Sequence, residues 1–66
     1  MWLQLHERMR AGGRPILVNA AAAADIRPAF VEDEEVGSVI HFATGYVTVL
    51  ETLDALAEMV KEVPNP

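Results

Sequence analysis

The sequence predicts a small α+β domain, an antiparallel β-meander sheet of four to five strands with one C-terminal α-helix packed on one face. Three observations predict it. Several short stretches alternate apolar and polar residues with a period of two, between breaks that carry Gly or Pro, as half-buried strands do. Near the C-terminus the apolar period lengthens to that of a helix. The chain has 66 residues, 52% of them hydrophobic, which leaves room for one domain spanning 1–66 with enough apolar surface to offset the entropy of ordering.

Trp2 to Glu7 alternates, with Leu3 and Leu5 on one side and Trp2, Gln4 and His6 on the other, and forms the first strand. Arg10-Ala11-Gly12-Gly13-Arg14 supplies two adjacent glycines for a hairpin turn. Pro15 suits the first position of the next strand, where no ladder donor is needed, and Ile16 to Asn19 continues it. Asn19 can cap the alanine run Ala20 to Ala24, but the run is too short to persist as a helix, so one helical turn is expected. Pro28 pushes Arg27 towards extended geometry, which places a strand over 26–31.

Glu32, Asp33, Glu34 and Glu35 repel one another and resist burial, so they are expected in an exposed, mobile connection ended by Gly37. Alternation resumes over 38–42, with Ile40 and Phe42 opposite to Val39 and His41. Thr44-Gly45 makes a hairpin turn, and Tyr46 to Leu50 is the last strand. Thr52 is a good helix cap, and Asp54 sits where the helix dipole favours an anion. The helix is expected from about Leu53 to Glu62, with an apolar stripe of Leu53, Leu56, Ala57, Val60 and Val63. Glu58 and Lys61 are spaced to pair on its surface.

One helix shields one side of the sheet. The side that meets it holds Leu3, Leu5, Ile16, Val18, Ile26, Ile40, Phe42, Val47 and Val49, the expected core. The other side is too apolar for open water, which points to a homo-oligomer in which Trp2, Leu17, Val39, His41, Tyr46 and Leu50 line the contact. Small domains without disulfides or metals commonly gain stability this way, and here there is no Cys and only His6 and His41 as histidines. Pairing of open sheet edges is a second route between copies.

Chemistry finds little to stand on. Adjacent strand residues point to opposite faces, so Glu7 does not share a site with His6, and two histidines fall short of the three or four ligands zinc takes. Gly12-Gly13-Arg14 lacks the Lys-Ser/Thr step of a phosphate loop. Ser38 has no His-Asp partner in a recognisable arrangement. No cofactor or catalytic residue is expected. The start lacks a signal peptide's basic and apolar regions, no apolar run reaches membrane length, and the absence of cysteine fits a reducing cytoplasm.

Net charge is −5 and uneven: Met1 to Arg27 carries +2 and Pro28 onward −7. An acidic chain repels phosphate backbones, which argues against nucleic acid as a partner. The alternative to an interaction module is a small nucleic-acid-binding regulator using Arg8, Arg10, Arg14 and Arg27.

Trp2-Leu3-Gln4-Leu5, Leu17-Val18-Asn19, Ile26-Arg27-Pro28, Ser38-Val39-Ile40-His41-Phe42, the Gly45 turn, Val47-Thr48-Val49 and Glu51-Thr52 together cover nearly the whole chain. In this pattern the sequence resembles the FlbD-like family of small flagellar-operon and phage-related bacterial proteins. It departs at Thr44-Gly45, where the family tends to Asn-Gly-Lys, and at the alanine run. The resemblance implies a non-enzymatic accessory protein without a cofactor, and it supplies no functional residues. Taken with the apolar outer face, the expected role is that of a structural or interaction module of a cytoplasmic bacterial or phage-type protein, which self-associates and docks a possible partner protein.

Overall fold

A computed structural model describes residues 1–62. It contains strands β1 (Trp2–Met9), β2 (Gly12–Asn19), β3 (Asp25–Val31), β4 (Glu34–Phe42) and β5 (Gly45–Val49), followed by helix α1 (Leu53–Glu62). A single 3-10 turn, Ala20–Ala22, joins β2 to β3. All pairings are antiparallel, in the order β2-β1-β5-β4-β3, so the hairpin β1–β2 and the meander β3–β4–β5 are joined through β1 and β5. The expected α+β class, five-stranded antiparallel sheet and C-terminal helix are all present.

The junction between the two halves is narrow. Glu7 opposite Val49 is the register contact of β1 with β5, extended by the Leu50 N–H donating to the His6 carbonyl at 2.8 Å. In a flat sheet β2 and β3 would stand about 19 Å apart, at roughly 4.8 Å per strand, and Asn19 and Asp25 would also be offset by about 26 Å along the strands. The link Ala20 to Ala24 reaches at most about 16 Å with one 3-10 turn in it. It is nonetheless fastened at both ends, by the Ala20 N–H to the Met1 carbonyl at 2.8 Å and the Ala24 N–H to the His41 carbonyl at 2.7 Å. The sheet therefore coils, bringing its outer strands towards each other around a shared interior.

That interior is the face anticipated from the alternation. Leu3, Leu5, Val18, Ile40 and Val49 are buried from the sheet and Leu56 from the helix, while Ile16, Ile26, Phe42, Val47, Ala20, Ala23 and Met59 pack against them. The 3-10 turn is capped as expected, by the Asn19 carboxamide oxygen accepting from the Ala21 N–H. Thr52 caps α1, its Oγ1 accepting from the Ala55 N–H at 3.2 Å.

Four local readings are corrected. The β1–β2 turn is Arg10-Ala11, so Gly12 and Gly13 lie in β2, and Pro15 stands inside that strand, opposite His6. Register there is set by pairing Met9 with Gly12, with Gly12 at a φ of 122°. The acidic run is not a loop. Glu32 and Asp33 form a two-residue turn at φ 51° and 66°, while Glu34 and Glu35 already pair with Val31 and Phe30. Positive φ at both turn residues matches the twist of the flanking strands, and exposed strand positions leave the carboxylates in water.

The third correction concerns Gly37, which does not end a loop but sits within β4 at φ 151°, beside the register shift at Ala29/Phe30. A side chain there would land on the Val49 carbonyl oxygen, so only glycine admits this close approach. The fourth concerns the helix, where Met59 packs on the core and Ala57 and Val60 of the expected stripe are exposed. Val63, assigned to the same stripe, lies outside the described residues.

Candidate interaction surface

The outer face of the sheet carries the residues singled out as a contact surface, and the strands set their positions. Alternation along β1 turns Trp2, Gln4, His6 and Arg8 outward, opposite Asn19, Leu17, Pro15 and Gly13 of β2. On the other half, His41 faces Tyr46 and Val39 faces Thr48, with Asp25 and Arg27 of β3 beside them. Leu50 follows on to lie over Gly13, where an added Cβ would come within 2.5 Å of the Leu50 Cδ1. The result is one band running from Tyr46 and His41 through Val39 and Leu50, across His6, to Leu17 and Trp2.

Exposure along the band is uneven. Trp2, Leu17 and Tyr46 are 67%, 68% and 70% exposed, and Leu50 is exposed as well. Val39 and His41 are half-buried, the His41 ring tilted against Tyr46 with centroids 5.9 Å apart. Beside Trp2, a shallow depression of about 270 Å³ is lined by Gln4, Pro15, Ile16 and Leu17.

Polar ties fix the rims of this band. His6 is bound to Glu51, not to Glu7: its backbone N–H donates to Glu51 Oε1 at 3.0 Å and its Nδ1 lies 2.8 Å from Oε2. Ser38, fully buried, donates its hydroxyl to the Glu51 carbonyl at 2.8 Å. Burial of Glu51, whose side chain is 16% exposed, disfavours its charge; the His6 backbone N–H and ring and the Glu51 backbone N–H outweigh this and hold the carboxyl below its usual range. At the opposite rim His41 Nδ1 lies 2.8 Å from Asp25 Oδ1, and Arg27 Nε lies 3.6 Å from the same oxygen.

Of the four arginines weighed for phosphate contact, Arg14 is paired with Glu7 at 2.8 Å and Arg27 with Asp25. Arg8 and Arg10 enter no ion pair among the described residues. Glu58 and Lys61 pair at 3.5 Å as their spacing suggests. Among the described residues no group of three or more His, Cys, Asp or Glu is placed to hold a metal ion, and no helix is long and apolar enough to cross a membrane.

Two features of the surface were not legible in the sequence. Glu51 is 45 residues from His6, and no local pattern announces that pairing. The groove of about 330 Å³ between β3 and the helix, lined by Ile26, Leu53, Leu56, Ala57 and Val60, depends on how the helix is rotated about its axis. Compared with protein-family models, with curated proteins and with solved structures, the chain finds no match.

Proposed function

We propose that this chain is a non-enzymatic interaction module that acts as a homo-oligomer, with a second copy covering the outer sheet face. Trp2, Leu17, Val39, His41, Tyr46 and Leu50 line the contact. One observation carries the reading: Trp2, Leu17 and Tyr46 of that face stand about two-thirds exposed, on a side of the sheet opposite its only described helix. Apolar area removed from water contributes roughly 25 cal/mol per Å², so covering this band adds several kcal/mol before association costs.

The open edges support the face over edge pairing. His6 turns both its main-chain groups towards β5 and Glu51, so its partner Pro15 has its nitrogen on the open edge of β2. His41 presents its carbonyl to Ala24, so Ser38, three residues earlier, turns the other way, and its partner Pro28 has its nitrogen on the open edge of β3. Each edge thus lacks a donor midway along, a common guard against strand addition.

A bacterial or phage-type, cytoplasmic setting and a further protein partner fit the cysteine-free chain and its resemblance to the FlbD-like family. The nucleic-acid reading is weaker, since carboxylates already hold two of its four arginines. Light scattering across a concentration series tests the proposal. A mass above the monomer that falls on Trp2→Ser or Tyr46→Ser is expected, whereas a strict monomer at high micromolar concentration overturns it.

A further inference from the structure

A second apolar surface lies on the side of the sheet away from Trp2 and Tyr46. Leu53, Leu56, Ala57 and Val60 recur at i, i+3, i+4 and i+7 and so share one face of α1 over two turns. With Ile26 of β3 they line the groove of about 330 Å³. Leu56 is its buried floor, Leu53 and Ile26 are half-buried, and Ala57 and Val60 are exposed. The helix meets the interior through Leu56 and Met59, which leaves Ala57 and Val60 to the groove.

The apolar surface continues along the strand. Side chains two apart on a strand share a face, so Ile26, Pro28 and Phe30 point the same way, with Ile26 and Phe30 roughly 13 Å apart. Phe30 is 59% exposed, and its cross-strand partner Glu35 is exposed on the same face.

The charge around this surface has one sign, since the chain from Pro28 onward carries −7. Beside the helix wall Asp54 is exposed and enters no ion pair among the described residues, and the single cation there, Lys61, is held by Glu58. At the strand end stand Glu35 and the acidic turn, likewise exposed and outside any ion pair among the described residues.

We infer that the groove takes a basic amphipathic helix of a partner protein, its apolar face on Ile26, Ala57 and Val60 and its Lys or Arg flanks against Asp54 and Glu35. Shape and sign both select this occupant. The helix wall spans about 10 Å over two turns, the reach of the i, i+3 and i+7 anchors of a helix laid in a groove. A second copy is the poorer occupant, because its own described helix is edged by Asp54 and Glu58 and two such grooves would bring two −7 halves together. Nucleic acid and anionic lipid are repelled for the same reason. The docking rests on the reading of this chain as an interaction module and gives that module a partner class, but it uses a surface separate from the outer face and does not depend on copies pairing there.

Fluorescence anisotropy on the full chain at low ionic strength tests it. The probe is a labelled synthetic peptide of leucine and lysine with its leucines at i, i+3, i+4 and i+7, beside a scrambled peptide of the same composition. Far-UV circular dichroism confirms that each variant is folded. The amphipathic peptide is expected to bind at least roughly tenfold tighter than the scrambled one. Val60→Glu and Ala57→Glu each take the chain from −5 to −6, which strengthens a purely ionic attraction, yet each is expected to weaken binding at least about tenfold by seating a carboxylate in the apolar groove. Glu35→Lys is expected to weaken it about two- to fivefold, the scale of an exposed ion pair, and Trp2→Ser with Tyr46→Ser to leave it unchanged. No binding, equal binding of the two peptides, or Val60→Glu, Ala57→Glu and Glu35→Lys chains that bind as tightly as wild type overturn the docking. Binding lost in Trp2→Ser/Tyr46→Ser places the peptide on the outer face and overturns it as well. A chain that is monomeric by light scattering yet binds the peptide in this pattern overturns self-association alone.

Discussion

His6 and Glu51 are joined twice, once through the His6 backbone N–H at 3.0 Å and once through its ring at 2.8 Å. This double tie fastens the middle of β1 to the segment that leads into the helix. Because the Glu51 carboxyl is held below its ordinary value of 4.5, the folded chain binds fewer protons than the unfolded one in the acid range. Its contribution is full above about pH 4.5 and is lost as pH falls through the lowered folded value. Melting temperature followed from pH 7 to pH 2 is expected to fall less steeply on the acid side in Glu51→Gln than in wild type. Parallel acid limbs would show that ionisation of Glu51 does not contribute to the acid dependence.

Gly37 and Gly13 separate two kinds of crowding. A methyl at Gly37 meets backbone at the Val49 carbonyl and takes a φ of 151°, so Gly37→Ala is expected to cost about 3 kcal/mol or more in urea denaturation. At Gly13 the neighbour is the tip of Leu50, which can rotate aside, so Gly13→Ala is expected to cost less than about 1 kcal/mol. Equal losses at the two sites would contradict the close approach of Gly37 in β4 to the Val49 carbonyl at the end of β5.

Leu56 is the helix's one buried hydrophobic among the described residues. Leu56→Ala is expected to destabilise by about 2–4 kcal/mol, enough to unfold a marginal domain, while Ala57→Ser on the neighbouring exposed position is expected to stay within about 0.5 kcal/mol. Thermal melts of the two variants side by side check the rotation of the helix about its axis.

Pro15 and Pro28 guard the edges, and replacing them tests that directly. Pro15→Val and Pro28→Val restore an N–H to each open edge, so faster fibril or aggregate formation is expected, read by thioflavin fluorescence at matched concentration. Unchanged aggregation in the double variant would mean that the coil of the sheet alone protects the edges.

Period-two alternation made the interior legible: Leu3, Leu5, Val18, Ile40 and Val49 were identifiable because a strand buries every second side chain. Caps were legible for a similar reason, since Asn19 and Thr52 act on N–H groups two or three residues away. What escaped is non-local or depends on rotation. The β1–β5 junction and the His6–Glu51 tie join residues more than forty apart. Met59 replaced Ala57 and Val60 as a packing residue because a few tens of degrees of rotation move the buried ridge. The acidic run was misread because repulsion among carboxylates argues for exposure, and an exposed hairpin supplies that without a loop.

The alanine link between β2 and β3 has a mechanical consequence. A hairpin and a meander that share so small a seam along β1 and β5 would otherwise swing like the covers of a book, and the clasp at Ala20 and Ala24 keeps them shut. Lengthening that clasp with a few glycines should split the melt into two steps, turning one cooperative unit into a pair of loosely hinged ones.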